Sequence, residues 1–247
     1  MHFRNEPKGD LFINLNEQER RIAEEKADRF LKMYYLQCLY EDSTADNYRE
    51  NLFYLEMLER ALVSVASLPG KISAADIGPS HWFYVRALHA LLEWGQKPPQ
   101  GGRQVSLYGY EADAYRVYAN FHSRYDYAVA HMGSLKDVNY ISQRFMPQTG
   151  AFDLVTMLFP FIFLVDHLAW GVPSNQFAPE ILLANAWNGL KPGGGLVIVN
   201  QGEKEHQAQL TMLTALGISP VAAFRHDSLF YQYDHPRYVL VIRHETQ

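Results

Sequence analysis

A short segment around position 76 carries the residue types of a ligand-binding turn. The apolar run Ile72 to Ile77 holds one carboxylate, Asp76, and leads directly into Gly78-Pro79-Ser80. In an open α/β sheet, ligands bind at the carboxyl ends of strands, where a glycine lets them approach the backbone closely. Ser80 is a favourable N-cap, and the free N–H groups of a following helix would suit an anion such as a carboxylate. The same residues also occur in turns that only reverse the chain, so both interpretations stay open for this segment alone.

A second carboxylate, Glu111, ends a segment from Val105 that alternates apolar and polar residues as a strand does. An acidic side chain at such a strand end can accept both hydroxyls of a ribose. Glu111 lies 33 residues beyond Gly78, further than is usual, and the Pro/Gly-rich loop Gly95 to Gly102 accounts for the excess. The alternative is a solvated glutamate that begins the next helix near its positive end.

Strands that alternate with helices must position these groups, which favours a parallel sheet with helices on both faces. The predicted strands are Ile72–Ile77, Val105–Glu111, Val138–Phe145, Phe152–Leu158, Leu196–Asn200, Val221–Arg225 and Tyr238–Arg243. The predicted helices between them are His81–Trp94, Asp113–Met132, Pro179–Asn188 and Glu205–Leu216. The connection His226 to Arg237 is too short for a crossover helix, so the last two strands should be antiparallel.

Two helices are predicted before the first strand. The first begins near Asn16, where Glu19 follows at capping distance, and Pro69-Gly70 ends the second. We therefore divide the chain into an N-terminal helical extension, 1–70, and an α/β domain, 71–247, and we expect no regular structure in residues 1–15. The extension contains Tyr34, Tyr35, Tyr40, Tyr48 and Tyr54. They fit either a lid over a substrate or an ordinary packing face.

Composition limits the classes of function. Of 247 residues, 22 are Lys or Arg and 27 are Asp or Glu, which gives a formal net charge of −5. This charge does not indicate a basic surface that would bind a phosphate backbone, so no nucleic acid is expected. The polar start and the absence of a long apolar run indicate a cytoplasmic protein without membrane contact. A single cysteine, Cys38, excludes an internal disulfide. The histidines show no paired metal spacing, so we expect no metal.

Four segments occur in a characteristic order. They are Asp76-Ile77-Gly78-Pro79-Ser80, Glu111 at the end of strand two, Phe152-Asp153-Leu154-Val155 opening strand four, and Gly189-Leu190-Lys191-Pro192-Gly193-Gly194 before strand five. From about Lys71 onward the chain thus resembles the class I S-adenosylmethionine-dependent methyltransferases, and the last segment is the most distinctive. The resemblance implies a Rossmann-like, seven-stranded, mostly parallel sheet with an antiparallel terminal strand, S-adenosylmethionine as the cofactor, and methyl transfer.

The resemblance also implies roles for particular residues. Asp76 and Gly78 would frame the methionine part of the cofactor, Glu111 would hold the ribose hydroxyls, and Gln143 would contact the adenine. The full set of expected cofactor contacts is Asp76, Gly78, Pro79, Ser80, Glu111, Ala112, Gln143, Leu158 and Phe159. The chain departs from the family where a second and third glycine are common, since it has Ser80 and Trp82 there, and Trp82 would either crowd the cofactor or form a wall beside it. Pro79 removes one backbone donor.

The methyl acceptor is not identified by the sequence. Methyltransferases that act on planar amino groups typically carry Asn or Asp, two prolines and an aromatic after strand four, whereas this chain reads Leu158-Phe159-Pro160-Phe161. That apolar wall favours a small organic acceptor. His167 is the candidate catalytic base, in a predicted active-site loop; the alternative is a surface histidine. Two other functions stay open: a cofactor-binding protein without transferase activity, and a nicotinamide-dependent dehydrogenase.

Overall fold

The computed structural model describes residues 8–65 and 67–245, so the start of the predicted N-terminal arm lies outside the described residues. The strands are β1 Lys71–Ile77, β2 Gln104–Tyr110, β3 Val138–Ile141, β4 Phe152–Leu158, β5 Leu190–Gln201, β6 Ala222–His226 and β7 Arg237–Arg243. The helices are α1 Glu17–Met33, α2 Gln37–Asp42, α3 Ala45–Leu62, α4 Val85–Trp94, α5 Arg124–Met132, α6 Leu164–Ala169, α7 Pro179–Asn188 and α8 Gly202–Ala215. A 3-10 turn occupies Ser174–Gln176. No helix in the described part of the chain is long and apolar enough to cross a membrane.

All seven strands form one sheet in the order β3-β2-β1-β4-β5-β7-β6. Strands β1 to β5 pair in parallel, whereas β7 runs antiparallel to both of its neighbours, β5 and β6. This confirms the predicted Rossmann-like sheet and its antiparallel terminal strand. Because the strand order reverses between β1 and β4, the carboxyl ends of these two strands border a crevice, where open α/β sheets bind their ligands.

The central strands are buried on both faces, which explains their nearly continuous apolar sequences. In β4, Leu154 packs into the cluster shared with the N-terminal helices and α4, while its neighbour Val155 packs against α7 and α8 on the opposite face. In β5, Val197 and Ile198 divide between the same two clusters. The sheet is therefore rigid at the point where its carboxyl ends form the crevice.

The N-terminal helices share the first of these clusters, because α3 is buried along most of its length between α4 and the sheet. Asn16 caps α1 by accepting a hydrogen bond from the Glu19 N–H, as the sequence predicts, and Thr44 caps α3 in the same way. The division of the chain near residue 70 stays a prediction, since the two parts are packed together through one hydrophobic core.

Two helices begin later than predicted. Helix α4 begins at Val85 rather than His81, because Ser80 and Trp82 have positive φ angles of 54° and 51°, which a right-handed helix cannot contain. Helix α5 begins at Arg124 rather than Asp113, because Ser123 forms a complete capping box there. The residues before each helix are consequently loops that reach the crevice.

The third strand and the segment after β4 also differ from the prediction. Strand β3 ends at Ile141, four residues before the predicted end at Phe145. The segment predicted as an active-site loop around His167 contains the short helix α6. Both differences change the backbone that borders the crevice.

Trp82 lies beneath the turn that follows β1 and is completely buried. Its ring covers Gly109 of β2, where a Cβ atom would lie 2.8 Å from the nearest ring carbons. The ring centroid is 5.9 Å from that of Tyr140 on β3. The indole thus fills the space above β2 that only a glycine leaves open, and its position is fixed by the core.

We predict that Gly109→Ala destabilises the protein by about 1–3 kcal/mol, because the added methyl group must displace the Trp82 ring in a close-packed core. Thermal unfolding followed by circular dichroism measures the effect. The control is Gly70→Ala, where a Cβ meets nothing within 4 Å, and we expect its free energy of unfolding to stay within about 0.5 kcal/mol of wild type. Equal stability of the two variants would contradict this packing.

Candidate active site

A cavity of about 460 Å³ lies at the carboxyl ends of β1, β2 and β4. This volume is within the range of roughly 300–1,000 Å³ that small-molecule sites occupy. Helix α6 and the segment leading to α7 form its outer wall, and Tyr54 of α3 reaches it from the N-terminal helices. From the ends of the strands it is lined by Gly78, Pro79, Ser80, Glu111, Ala112, Leu158, Phe159 and Pro160.

Most of the residues expected to contact a cofactor meet in this cavity. Two of them, Asp76 and Gln143, are outside its lining. Gln143 follows β3, is exposed to solvent, and uses its backbone N–H in a tight turn onto the Ile141 carbonyl. The next two residues, Arg144 and Phe145, line the cavity on that side. On this side the cavity is therefore lined by neighbours of Gln143 and not by Gln143 itself.

Asp76 is completely buried behind the turn, and three side chains donate hydrogen bonds to its carboxylate. Its Oδ2 accepts hydrogen bonds from Trp82 Nε1 at 2.7 Å and from the Tyr84 hydroxyl at 2.9 Å, and its Oδ1 accepts one from Thr156 Oγ1 at 2.7 Å. Burial raises the pKa of the Asp76 carboxyl to about 6, and the three donors act in the opposite direction. This carboxylate holds the turn together and does not face the cavity.

Glu111 lines the cavity with its carboxylate held in place by backbone donors. Its Oε2 accepts from the Ser80 N–H at 2.9 Å, and its Oε1 accepts from the Asp113 N–H at 2.9 Å. Arg124 Nη1 lies 3.5 Å from Oε1. Two carboxylate oxygens offer about four acceptor positions, so capacity for further donors remains. The hydrogen bond to Ser80 joins the carboxyl ends of β1 and β2 directly.

The prediction that Ser80 caps the helix after β1 is wrong. Ser80 does not cap α4, whose N-cap is Tyr84 without a side-chain hydrogen bond. The N–H groups of Gly78 and Trp82 donate to Tyr110 O and Pro79 O, at 2.8 and 3.0 Å, and Ser80 donates to Glu111. Because Pro79 has no N–H, no backbone donor from Gly78 to Ser80 is left for an anion.

Gly78 provides open space at the cavity wall. Its φ is +72°, and a Cβ atom built there would meet nothing within 4 Å. Two other lining residues, Ser80 and Phe159, have positive φ angles of 54° and 59° although they carry side chains. Strained backbone of this kind persists where the surrounding structure fixes it, often at functional sites. In Phe159 the N–H is fixed by the Val199 carbonyl at 2.8 Å.

His167 also lines the cavity, and it is buried on α6. Its Nε2 lies 2.9 Å from the Pro173 carbonyl oxygen. The rings of Phe161 and Phe177 pack against the His167 ring in edge-type arrangements. The distances between ring centroids are 5.5 and 5.3 Å. The predicted candidate base is therefore inside the cavity, and neighbouring groups hold its ring in one orientation.

Several lining residues were not predicted from the sequence. Asp166 and Glu205 add two carboxylates to the cavity wall; burial raises the pKa of Glu205, and the charge of Asp166 adds to this effect. Arg124 is buried and lies over the Trp170 ring at 4.7 Å. These residues come from helices and loops whose placement depends on tertiary packing, and no local pattern marks them.

The tyrosines of the helical extension have different positions, and Tyr35 is exposed to solvent. Tyr54 lines the cavity, and its ring is stacked on that of Tyr84 with centroids 4.9 Å apart. Tyr34 and Tyr48 are buried in the core, as the packing interpretation expects. Within residues 8–65 and 67–245, no group of three or more His, Cys, Asp or Glu side chains is placed to hold a metal ion.

Several solved structures with a similar fold are described as methyltransferases. A Listeria monocytogenes protein assigned to the class I S-adenosylmethionine-dependent methyltransferases has a TM-score of 0.57 and 11% identity, over 96% of this chain and 78% of that one. A Leishmania major S-adenosylmethionine-dependent methyltransferase has a TM-score of 0.55 and 11% identity, over 95% and 86% of the two chains. The N-methyltransferase NodS from Bradyrhizobium japonicum has a TM-score of 0.52 and 14% identity, over 82% of this chain and 99% of that one.

No protein-family model matches the sequence, and no curated protein matches it. The structural likeness, at these low identities, is a likeness of fold. The chain has the fold of the class I S-adenosylmethionine-dependent methyltransferases.

We predict that Asp76→Asn changes the pH dependence of stability. The pKa of Asp76 is about 6 in the folded protein, whereas the ordinary pKa of an aspartate carboxyl is 3.8. Its contribution to the free energy of unfolding therefore falls as pH rises through this window. An Asn amide oxygen can still accept from Trp82 and Tyr84. Between about pH 4 and pH 7, wild type should lose about 2 kcal/mol relative to the variant.

Urea unfolding at both pH values measures this difference. Asp234→Asn, on an exposed carboxylate, controls for the loss of one negative charge. A constant stability difference between wild type and Asp76→Asn at the two pH values would show that the carboxyl is ionised throughout, and the account of this buried group would be wrong.

Proposed function

We propose that this protein is an enzyme that transfers a methyl group from S-adenosylmethionine to a small-molecule acceptor. The observation that carries the proposal is that Gly78 and Glu111, from the ends of β1 and β2, line one cavity at the switch point of a methyltransferase fold. The similar structures described as S-adenosylmethionine-dependent methyltransferases support the same chemistry.

The cavity residues fit the proposed cofactor. The Glu111 carboxylate is oriented by two backbone N–H groups and keeps one free acceptor position, on Oε2, for a ribose hydroxyl. The second ribose hydroxyl would take the position on Oε1 that Arg124 Nη1 approaches only to 3.5 Å. The open space at Gly78 admits a ligand against the backbone. Ala112 and Phe145 supply an apolar surface for a planar base. Asp76 is buried outside the cavity, and the N–H groups of the turn are already hydrogen-bonded within the protein. The methionine part of the cofactor would therefore be held by other residues of the lining.

The acceptor would occupy the part of the cavity beside β4. Phe159, Pro160 and Phe161 line it, and they exclude water from the reacting atoms. When bound, S-adenosylmethionine supplies an electrophilic methyl group on a sulfonium ion. The protein's main task is then to hold the acceptor in line with that methyl group, since orientation alone accounts for a large part of such a barrier.

A second candidate function is a cofactor-binding protein without transferase activity, with a regulatory or assembly role. The turn after β1 favours it to some degree, because its backbone donors are already paired within the protein and Asp76 points away from the cavity. Binding of S-adenosylmethionine without turnover over a broad acceptor panel would support this alternative. A nicotinamide-dependent dehydrogenase is disfavoured because the turn has one glycine and β7 is antiparallel.

We predict saturable binding of S-adenosylmethionine and S-adenosylhomocysteine by wild type in calorimetric titrations. Glu111→Ala should weaken both by about 10- to 100-fold, because it removes charged hydrogen bonds to the ribose. Glu111→Gln keeps the shape of the side chain and should give an intermediate loss. The exposed Glu24→Ala controls for the change of net charge and should bind as wild type does.

Two outcomes would count against the proposal. Folded wild type that binds neither compound would show that the cavity is not a cofactor site. Equal affinity of wild type and Glu111→Ala would show that binding occurs without the predicted ribose contact. Circular dichroism of each variant excludes unfolding as the cause of any loss.

A further inference from the structure

The protein fixes the tautomer of His167. A backbone carbonyl oxygen can only accept a hydrogen bond, so the nitrogen that faces Pro173 O at 2.9 Å must carry a proton. In the neutral ring, Nε2 is therefore the donor and Nδ1 keeps a lone pair. A second group that orients an imidazole in this way is a common feature of catalytic histidines.

Nδ1, the nitrogen that keeps a lone pair, is the one that can accept a proton from a ligand in the cavity. His167 lines the cavity, whereas Pro173, which binds Nε2, is not part of the lining. The Nε2 edge of the ring is thus directed into the protein wall. Within the described residues, Nδ1 is not a buried nitrogen that lacks a partner, and no side chain donates a hydrogen bond to it.

The surroundings keep this ring in place and supply charges that affect it. The Phe161 and Phe177 rings pack on two sides, and the His167 N–H bonds to Phe163 O within the first turn of α6. The charged groups that line the same cavity are Asp166 on α6, Glu205 on α8, Glu111 and Asp113 after β2, Arg124 on α5 and Arg144 after β3.

We propose that His167 is the catalytic base of this enzyme, acting through Nδ1 on the hydroxyl group of a small aromatic or apolar acceptor. The inference rests on the proposed methyl transfer and adds the class of acceptor. The acceptor O–H proton passes to Nδ1, and the oxygen electron pair forms the new bond to the methyl carbon. The carbon–sulfur bond breaks with its electron pair going to sulfur, and the imidazolium later releases its proton to water.

The first test measures the tautomer without turnover. A long-range nitrogen–proton NMR spectrum of the full-length protein, assigned by comparison with His167→Gln, should show Nε2 protonated and Nδ1 unprotonated in the neutral ring. The reverse tautomer would overturn the inference, whatever the activity. Since this measurement needs no acceptor, it remains decisive even when the proposed function fails.

The second test uses a matched substitution. His167→Gln places an amide nitrogen where Nε2 lies, so the hydrogen bond to Pro173 O can persist while the base is lost. With phenols that are not ionised at the assay pH, kcat/KM should fall by about 10²- to 10⁴-fold. With nitrophenols that are already ionised, the loss should be less than about tenfold. His122→Gln, on an exposed histidine outside the cavity, is the control.

The pH profile separates a base from a structural role. For un-ionised phenols, kcat/KM of wild type should show a descending limb at low pH that is absent in His167→Gln, because general-base catalysis requires an unprotonated base. An equal loss on both classes of phenol, or methylation of anilines and of no phenol, would overturn the inference. Absence of S-adenosylmethionine binding in wild type would instead overturn the proposed function.

Discussion

The conformation of the site depends on one buried carboxylate. Removing Asp76 from water costs several kcal/mol unless donors replace the lost hydration, and Trp82, Tyr84 and Thr156 supply them. To bring the first two donors under the strand, the chain after β1 must fold back before α4 can begin. The conformation of the turn therefore follows from the hydrogen bonds that the buried carboxylate requires.

Two features of the cavity follow from this turn. Its left-handed residue Ser80 presents a backbone N–H to Glu111, which positions the second carboxylate at the end of β2. The indole of Trp82 is drawn beneath the turn onto Gly109, so it neither crowds the cavity nor forms its wall. In this way one acid supports the structure and the other faces the ligand space, although the sequence presents them as similar groups at the ends of neighbouring strands.

The sequence predicts the parts of the fold that local patterns determine. Strand β4 and helix α7 have the predicted bounds, because a continuous apolar run and a proline at a first helical turn mark them clearly. The starts of α4 and α5 could not be predicted. The first depends on buried hydrogen bonds from Trp82 and Tyr84 back to Asp76, and the second depends on a capping box within an apparently helical stretch. Of the site, Glu111 and Gly78 were predictable from strand ends, whereas Gln143 was placed one or two residues away from the true lining because β3 ends early.

The central claim is that the cavity between Gly78 and Glu111 holds S-adenosylmethionine beside His167. A crystal structure of the protein soaked or grown with S-adenosylhomocysteine tests it most directly. The account predicts density in this cavity, with both ribose hydroxyls within hydrogen-bond distance of the Glu111 carboxylate and the sulfur on the side of Phe159 and His167. Density at another place, or a ribose that leaves Glu111 bound only to Ser80 and Asp113, would contradict it.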